Sequence, residues 1–332
     1  MPRRLALLVP GGLHSTTGGN VYDRAVVAEL ERRGWFVDLV EPGTAALGQD
    51  VCIVDSLALR FGPPAADGVV VALLHQLPSE AEERPDWRAP EAATLAAADL
   101  VVTVSEGLAR RVRSLATTPV VTVPPGWDRS VGAANAPRDT VLCVANAQRG
   151  KGVADAMIAL ARSGVRQDMV LVGDTHRDAG EAERLRSALG QTRRRVSLAG
   201  VVSADELARL YGRALVFVTA TRYEGWPIAV AEAMANGVPV VGYLAPGVSE
   251  LVRTGVDGVL VPPGDVDALA AALARVVEDP PLADRLGRAA RDRARAWPTW
   301  RETARRFADL IEQMADEGHA GRRPRAQATG PR

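Results

Sequence analysis

Short, uniformly apolar runs alternate with helix-period stretches from one end of the chain to the other. The first run is LALLVP, followed by a helix predicted over residues 20–33 that ends at Gly34, and then by WFVDLV. DVCIVD, VVVALL, LVVTVS and PVVTVP continue the series. Strands that are apolar throughout are buried on both faces, which predicts a parallel sheet covered by helices. The stretch VGAANAPRD, at 131–139, then breaks the pattern with small residues and proline and reads as a linker. A second series follows at once: TVLCVA, a helix from Val153, MVLVG, another helix, RVSLAG, a helix over 205–213, and LVFVTA. It closes with a helix from Pro227, then VPVVG and GVLVPP.

This pattern predicts an α/β protein of two Rossmann-like, doubly wound domains in tandem. The expected division is a first domain over residues 1–131, a linker at 132–139 and a second domain at 140–296. A C-terminal helix is expected at 297–314, with packing back on the first domain one option for it. Residues 315–332 carry no apolar side chain larger than alanine and are expected to be a disordered tail. Ligands of such domains bind at the carboxyl ends of the strands, so two facing domains would hold the site in the cleft between them.

Composition narrows the picture. A length of 332 residues exceeds what one core usually organises. Lys+Arg and Asp+Glu stand at 40 each, so no global field points to nucleic acid or to an anionic membrane. Cys52 and Cys143 each lie inside an apolar run and are expected as buried free thiols in a reducing compartment. The start MPRR is basic, but the apolar stretch Leu5 to Val9 is too short for a signal peptide. No run is long enough to span a bilayer, and a cytoplasmic protein is expected.

Chemistry concentrates in two segments. In TRYEGWPIAVAEAMANGVPVVG, Thr221 to Gly242, a strand gives way to a loop holding Glu224. Pro227 suits the first turn of a helix, and Gly237 suits the position just past its end. Helical side chains lean toward the N-terminus, so Glu232 is expected to point back toward Glu224. Two carboxylates would then flank a helix N-terminus able to hold a phosphate. Taken singly, each glutamate could equally be a solvated charge. The second segment, VANAQRGKG, carries Lys151, the one lysine among 40 basic residues, which is suited to act as a compact point charge. No G-x-G-x-x-G follows either first strand, which weighs against a dinucleotide-dependent oxidoreductase.

The segment Arg222 to Gly242 resembles the E-x7-E region of retaining GT-B glycosyltransferases of family four. The match includes Trp226 after Glu-Gly and the A-E-A-M-A-x-G-x-P-V-V continuation. The resemblance extends to Gly18-Gly19, to Val102–Val112, to Val123–Asp128 and to Gly255–Asp265. It implies the GT-B fold and a retaining transferase that uses a nucleotide diphosphate sugar, without metal or other cofactor. The acceptor would be a small molecule, a glycan or a lipid.

Residue by residue, the resemblance implies that Glu232 binds the ribose hydroxyls and that Glu224 contacts the donor sugar. His75, which opens HQLPSE, would lie near that sugar, and the backbone at Gly18 and Gly19 would approach the diphosphate. Lys151 would stabilise the departing pyrophosphate. The family's arginine position is Asn146 in this chain, with Arg149 its nearest substitute. Gly225, Trp226, Gly247 and Val248 complete the expected nucleotide-sugar contacts. Pro227 stands where relatives have a glycine and cannot donate an N–H. His14 lies where inverting GT-B enzymes place a base and is read here as a loop or acceptor-side residue. Asp265-Val266-Asp267 spells a metal-binding D-x-D but opens a helix, so capping is the expected role. Two alternatives share the site: a nucleotide-sugar epimerase of GT-B fold, and a nucleotide-sugar-binding protein without turnover.

Overall fold

The apolar runs become the strands of two parallel sheets in the computed structural model, which describes residues 3–14, 17–127, 137–192 and 195–321. The chain forms two compact units. One comprises Met1–Ser79, Arg84–Pro124 and Trp300–Arg332, and the other Glu80–Glu83 and Pro125–Thr299.

The first unit contains β1 (Arg4–Leu8), α1 (Gly18–Arg32), β2 (Phe36–Val40), β3 (Val51–Asp55) and β4 (Val69–Leu74). A short α2 (Pro78–Ala81), which the division between the units crosses after Ser79, precedes α3 (Arg88–Ala97), β5 (Leu100–Thr103), α4 (Glu106–Arg113) and β6 (Val120–Thr122). The sheet order is β2-β1-β3-β4-β5-β6, parallel throughout. Every residue of β3 and β4 is buried, as expected for strands covered on both faces, whereas edge strand β2 leaves Phe36 and Leu39 exposed. The order reverses between β1 and β3, which opens a crevice at their carboxyl ends.

The second unit runs β7 (Thr140–Val144), α5 (Val153–Ser163), β8 (Met169–Val172), α6 (Ala179–Gln191) and β9 (Val196–Gly200). It continues with α7 (Ala204–Arg213), β10 (Ala214–Thr219), α8 (Ile228–Ala235), β11 (Val240–Tyr243), α9 (Pro246–Leu251), β12 (Gly258–Val261), α10 (Val266–Glu278) and α11 (Pro280–Ala294). Its sheet order is β12-β11-β10-β7-β8-β9, so the reversal falls between β7 and β10. Alternate residues of β7 feed two cores. Val141 and Cys143 pack with Met157, Leu160 and Leu273, while Leu142 packs with Phe217, Val230 and Met234.

The last helix, α12 (Trp300–Gly321), packs on α1, burying Phe307, Ala308 and Ile311. Arg33, just past α1, reaches Asp309 at 2.6 Å and Glu312 at 2.8 Å, and also pairs with Glu29 at 3.0 Å.

Two expectations change. Residues 315–321 are not a disordered tail: they continue α12, and Ala315 is buried. The end of the helix packs on the unit rather than projecting from it, since a Cβ on Gly318 would come 2.5 Å from Val69; residues 322–332 lie outside the described residues. Of the expected linker, 132–136 likewise lies outside them. Arg138 is fixed by donating to the carbonyls of Gly237 at 2.7 Å and Asn236 at 2.8 Å. Cys52 and Cys143 are buried free thiols whose pKa values burial pushes up to about 12. Among the described residues no helix is long and apolar enough to cross a membrane.

Candidate active site

In the second unit the switch-point loops after β7 and β10 are joined by their backbones. Gly150 O accepts from Arg222 N at 2.8 Å and from Thr221 Oγ1 at 3.3 Å. Gly152 has φ +62°, and a Cβ there would stand 2.0 Å from the carbonyl oxygen of Ala220. Only glycine lets the loops approach this closely. Their closeness brings the Lys151 ammonium onto Glu224 Oε1 as an ion pair, with both side chains mostly buried.

The Glu224 loop is supported from below. Gly247 N donates to Glu224 O at 3.1 Å, and a Cβ on Gly247 would lie 2.5 Å from that oxygen and 3.0 Å from Gly225 O. Val248 is buried in the adjoining core. Trp226 meets Trp297 edge-on, with centroids 6.1 Å apart. Pro227 is the N-cap of α8 rather than its first helical residue, and no side chain caps the helix. Its far end is as expected: Gly237 takes φ +66° and its N–H donates to Met234 O at 2.8 Å.

Glu232 is tied to a residue that sequence reasoning missed. Tyr211, on α7, donates to Glu232 Oε2 at 2.9 Å and lies 3.1 Å from Ala229 O. Burial, reinforced by the Glu232 charge, holds the Tyr211 phenol well above its ordinary pKa. Glu232 is thus engaged by Tyr211, and Glu224 by Lys151. The two glutamates therefore have different partners.

Asn146 is held through its amide oxygen: its Oδ1 accepts from Asp174 N at 2.9 Å, which braces the turn after β8. Arg149 is largely exposed, 3.6 Å from Glu83. Asp265 caps α10, accepting from Ala268 N at 2.9 Å, and Asp267 pairs with Arg162 at 2.8 Å.

In the first unit, Gly18 and Gly19 form the first turn of α1, which Thr17 caps by accepting from Asn20 N at 3.4 Å. The His75 ring lies against Gly19, where a Cβ would come 2.9 Å from Cδ2. Its Nε2 is 2.9 Å from Asp23 Oδ1 and 3.5 Å from Asp55 Oδ2. Burial alone would lower the His75 pKa, but the charge and hydrogen bond of Asp23, with Asp55 behind, raise it. Burial, aided by Asp23, pushes the Asp55 carboxyl up to about 6. The ligand atoms of these three residues lie within 4.8 Å of one another, a trio close enough to hold a cation and one the sequence did not announce. Asp55 ends its strand, where such sheets place functional groups. Asp23 is one polar residue inside a helical run and gave no signal. His14 is exposed in the loop before α1.

Two doubly wound units, each with loop side chains at its switch point, define the GT-B class of nucleotide-sugar proteins. Residues 128–293, half of the chain, match the family model of glycosyl transferases group 1, and the chain belongs to that family. It is 34% identical over 181 residues to an MMP alpha-(1->4)-mannosyltransferase of Mycolicibacterium hassiacum, covering 53% of this chain and 43% of that one. It is 35% identical over 169 residues to a glycogen synthase of Mycobacterium tuberculosis, covering 49% and 40%. The matched stretches thus span less than half the length of these relatives. In fold it resembles a sucrose-phosphate synthase from Thermosynechococcus elongatus, with TM-score 0.80, 22% identity, and coverage of 95% of this chain and 100% of that one. It also resembles Anabaena HepE in complex with UDP and glucose, with TM-score 0.79, 18% identity, and coverage of 94% and 100%.

Proposed function

We propose that this chain is a retaining glycosyltransferase that takes its sugar from a nucleotide diphosphate donor and needs no metal ion. The observation that carries the reading is the Lys151–Glu224 pair at the β7/β10 switch point, inside the part of the chain that matches the family. There a fixed cation and a helix N-terminus are available to a diphosphate, and a carboxylate to the sugar joined to it. UDP with glucose in the HepE complex is consistent with such a donor.

In the reaction the bond between the anomeric carbon and the β-phosphate oxygen breaks. A bond from an acceptor oxygen forms on the same face, and the acceptor's proton passes to the departing phosphate oxygen. Negative charge grows on the leaving diphosphate, and Lys151 stabilises it, the kind of fixed electrostatic help that usually contributes most. Glu232, braced by Tyr211, binds the ribose. Asn146, engaged with Asp174, supplies no charge, which favours a second reading: a protein that binds the donor but turns it over poorly.

A thermal-shift screen of UDP, GDP, ADP and dTDP sugars identifies the donor, because saturating ligand stabilises the fold by RT ln(1 + [L]/Kd). Product NMR with that donor should show the donor's anomeric configuration retained and activity unaffected by EDTA. Inversion, or a strict requirement for Mg²⁺ or Mn²⁺, would overturn the reading. Donor binding without transfer or hydrolysis would favour the binding protein, and conversion of the donor without any acceptor would favour the epimerase.

A further inference from the structure

Tyr243 closes β11 with none of its surface exposed, inside the core that α5 and α10 share. A phenylalanine would fill that space without a polar atom to satisfy. The hydroxyl needs a buried acceptor, and it has one in Asp155 Oδ2, at 3.1 Å. Burial first, and then the charge of Asp155, holds the phenol above its ordinary pKa, so it stays protonated and donates. The same carboxylate oxygen accepts from Arg222 Nη2, also at 3.1 Å. That guanidinium is more than half exposed, and an ion pair so placed adds little to stability.

One oxygen thus gathers three of the loops at the carboxyl ends of the second unit's strands. Asp155 lies in the first turn of α5, just after Lys151, on the segment that leaves β7. Arg222 stands just before Glu224 on the loop after β10, and its own N–H is fixed by Gly150 O at 2.8 Å. Tyr243 begins the turn that leads to Gly247, whose N–H holds Glu224 O at 3.1 Å. Asp155 therefore ties the Lys151 loop to both stretches that support Glu224. It does so while hydrogen-bonding to neither member of that pair.

We infer that Asp155 is a positioning residue for the Lys151–Glu224 pair. Through Arg222 and Tyr243 it sets the spacing of the two loops, and with it the place where the ammonium meets the leaving diphosphate. The role in transfer rests on the donor-site reading above, whereas the spacing itself does not. Such spacing matters because a reacting group misplaced by ~1 Å can cost on the order of 10²-fold in rate. Asp155→Asn keeps an oxygen for the Tyr243 hydroxyl and loses the charge that holds Arg222. Tyr243→Phe keeps every charge and removes one hydrogen bond.

The test has two readouts. Lys151 is the chain's one lysine, so lysine labelled with carbon-13 and nitrogen-15 gives a single side-chain NMR signal in the full-length protein. Glu224→Gln marks where that signal falls when the pair is broken. In Tyr243→Phe, which alters no charge, the Lys151 signal should move toward that position, and in Asp155→Asn it should move further. Should either variant melt early, Arg222→Gln, at an exposed side chain, supplies the same reading. With the donor found by thermal shift, Asp155→Asn should lower kcat roughly tenfold with KM for the donor little changed. In a Lys151→Ala background the same substitution should cost much less, because the cation it positions is gone. A Lys151 signal unmoved in all three variants would overturn the inference, as would an equal loss of kcat from Asp155→Asn with and without Lys151. If the signal moves but no nucleotide sugar binds, the donor-site reading fails and the spacing role of Asp155 stands.

Discussion

The ammonium of Lys151 is held by the carboxylate of Glu224, across the two loops that leave β7 and β10. In the proposed reaction, a donor diphosphate, which carries more negative charge than one carboxylate, would compete for the ammonium and free Glu224 for the sugar.

Lys151→Ala should therefore reduce turnover far more than donor binding. At about 4 Å, a cation and a phosphate oxygen interact by roughly 4 kcal/mol at an effective dielectric near 20. The part that grows as the bond breaks sets the rate, and a loss on the order of 10²–10³ in kcat is expected. Steady-state rates with the identified donor check this. A near-normal kcat would mean that Arg149 or another group neutralises the leaving diphosphate.

Glu232→Ala should act mainly on KM, because ribose hydroxyls do not change charge along the reaction. Tyr211→Phe removes the bond at 2.9 Å that orients one oxygen of Glu232, and should raise KM for the donor several-fold with kcat preserved. Equal loss in kcat for both variants would place Glu232 in the chemical step instead.

The fold was readable because its signals are local and repeated. VCIVD and VVVALL are apolar at nearly every position, and only a sheet covered on both faces buries all of them. Glu224, Lys151 and Gly247 were singled out by the resemblance of their segments to a family's motifs, and the structure gathers them around the loops after β7 and β10. Tyr211 and Asp23 could not be singled out in this way. Each lies on a helix far along the chain from its partner, and nothing in either helix's period shows what a buried polar side chain faces. The end of α12 was missed for a related reason: Ala315 is buried by what packs on it, although its own stretch carries little apolar bulk.

Gly152→Ala should disable the second unit's switch-point loop. The new Cβ would meet a backbone oxygen 2.0 Å away, at a φ of +62° that alanine resists. Backbone cannot yield as a side-chain tip can, so a loss of at least ~2 kcal/mol of stability is expected, along with loss of donor-induced thermal stabilisation. A variant with wild-type melting temperature and donor response would show that the two loops separate readily.

Arg33→Ala should loosen α12 from α1. The guanidinium joins Glu29, Asp309 and Glu312 and is itself mostly buried. Its removal leaves Glu29, 8% exposed, with Arg32 as its remaining cation, at a cost of about 2 kcal/mol. Urea denaturation should show a lower midpoint, and amide exchange in α12 should quicken before that of the β-strands. Uniform exchange through both would mean that α12 unfolds only with the whole unit.

Stability should fall as pH rises from about 5 through neutrality, and the first unit's buried trio supplies the reason. The Asp55 carboxyl is raised from 3.8 to about 6, chiefly by burial. Between those values the unfolded chain has released a proton that the folded chain still holds. His75 is raised above 6.5, because Asp23 and Asp55 outweigh burial, so it too keeps a proton that the unfolded chain has lost. In both cases the native state binds more protons, and by linkage the stability each group contributes is present at low pH and lost as pH rises through its folded value. The scale is about 1.4 kcal/mol for each tenfold difference in proton affinity. Glu29 works in the opposite sense, held down to about 2 first by its hydrogen bond from Arg32, but its contribution is lost only below the ordinary value of 4.5. The window near neutrality thus belongs to Asp55 and His75. Asp55→Asn removes one titrating group and part of the charge that raises the other, while its amide oxygen can still cap Leu57 N. Melting temperatures measured across that range should decline less steeply for Asp55→Asn than for the parent chain. Parallel curves would mean that Asp55 is ionised in the fold throughout, and that the trio holds one fewer proton than its burial requires.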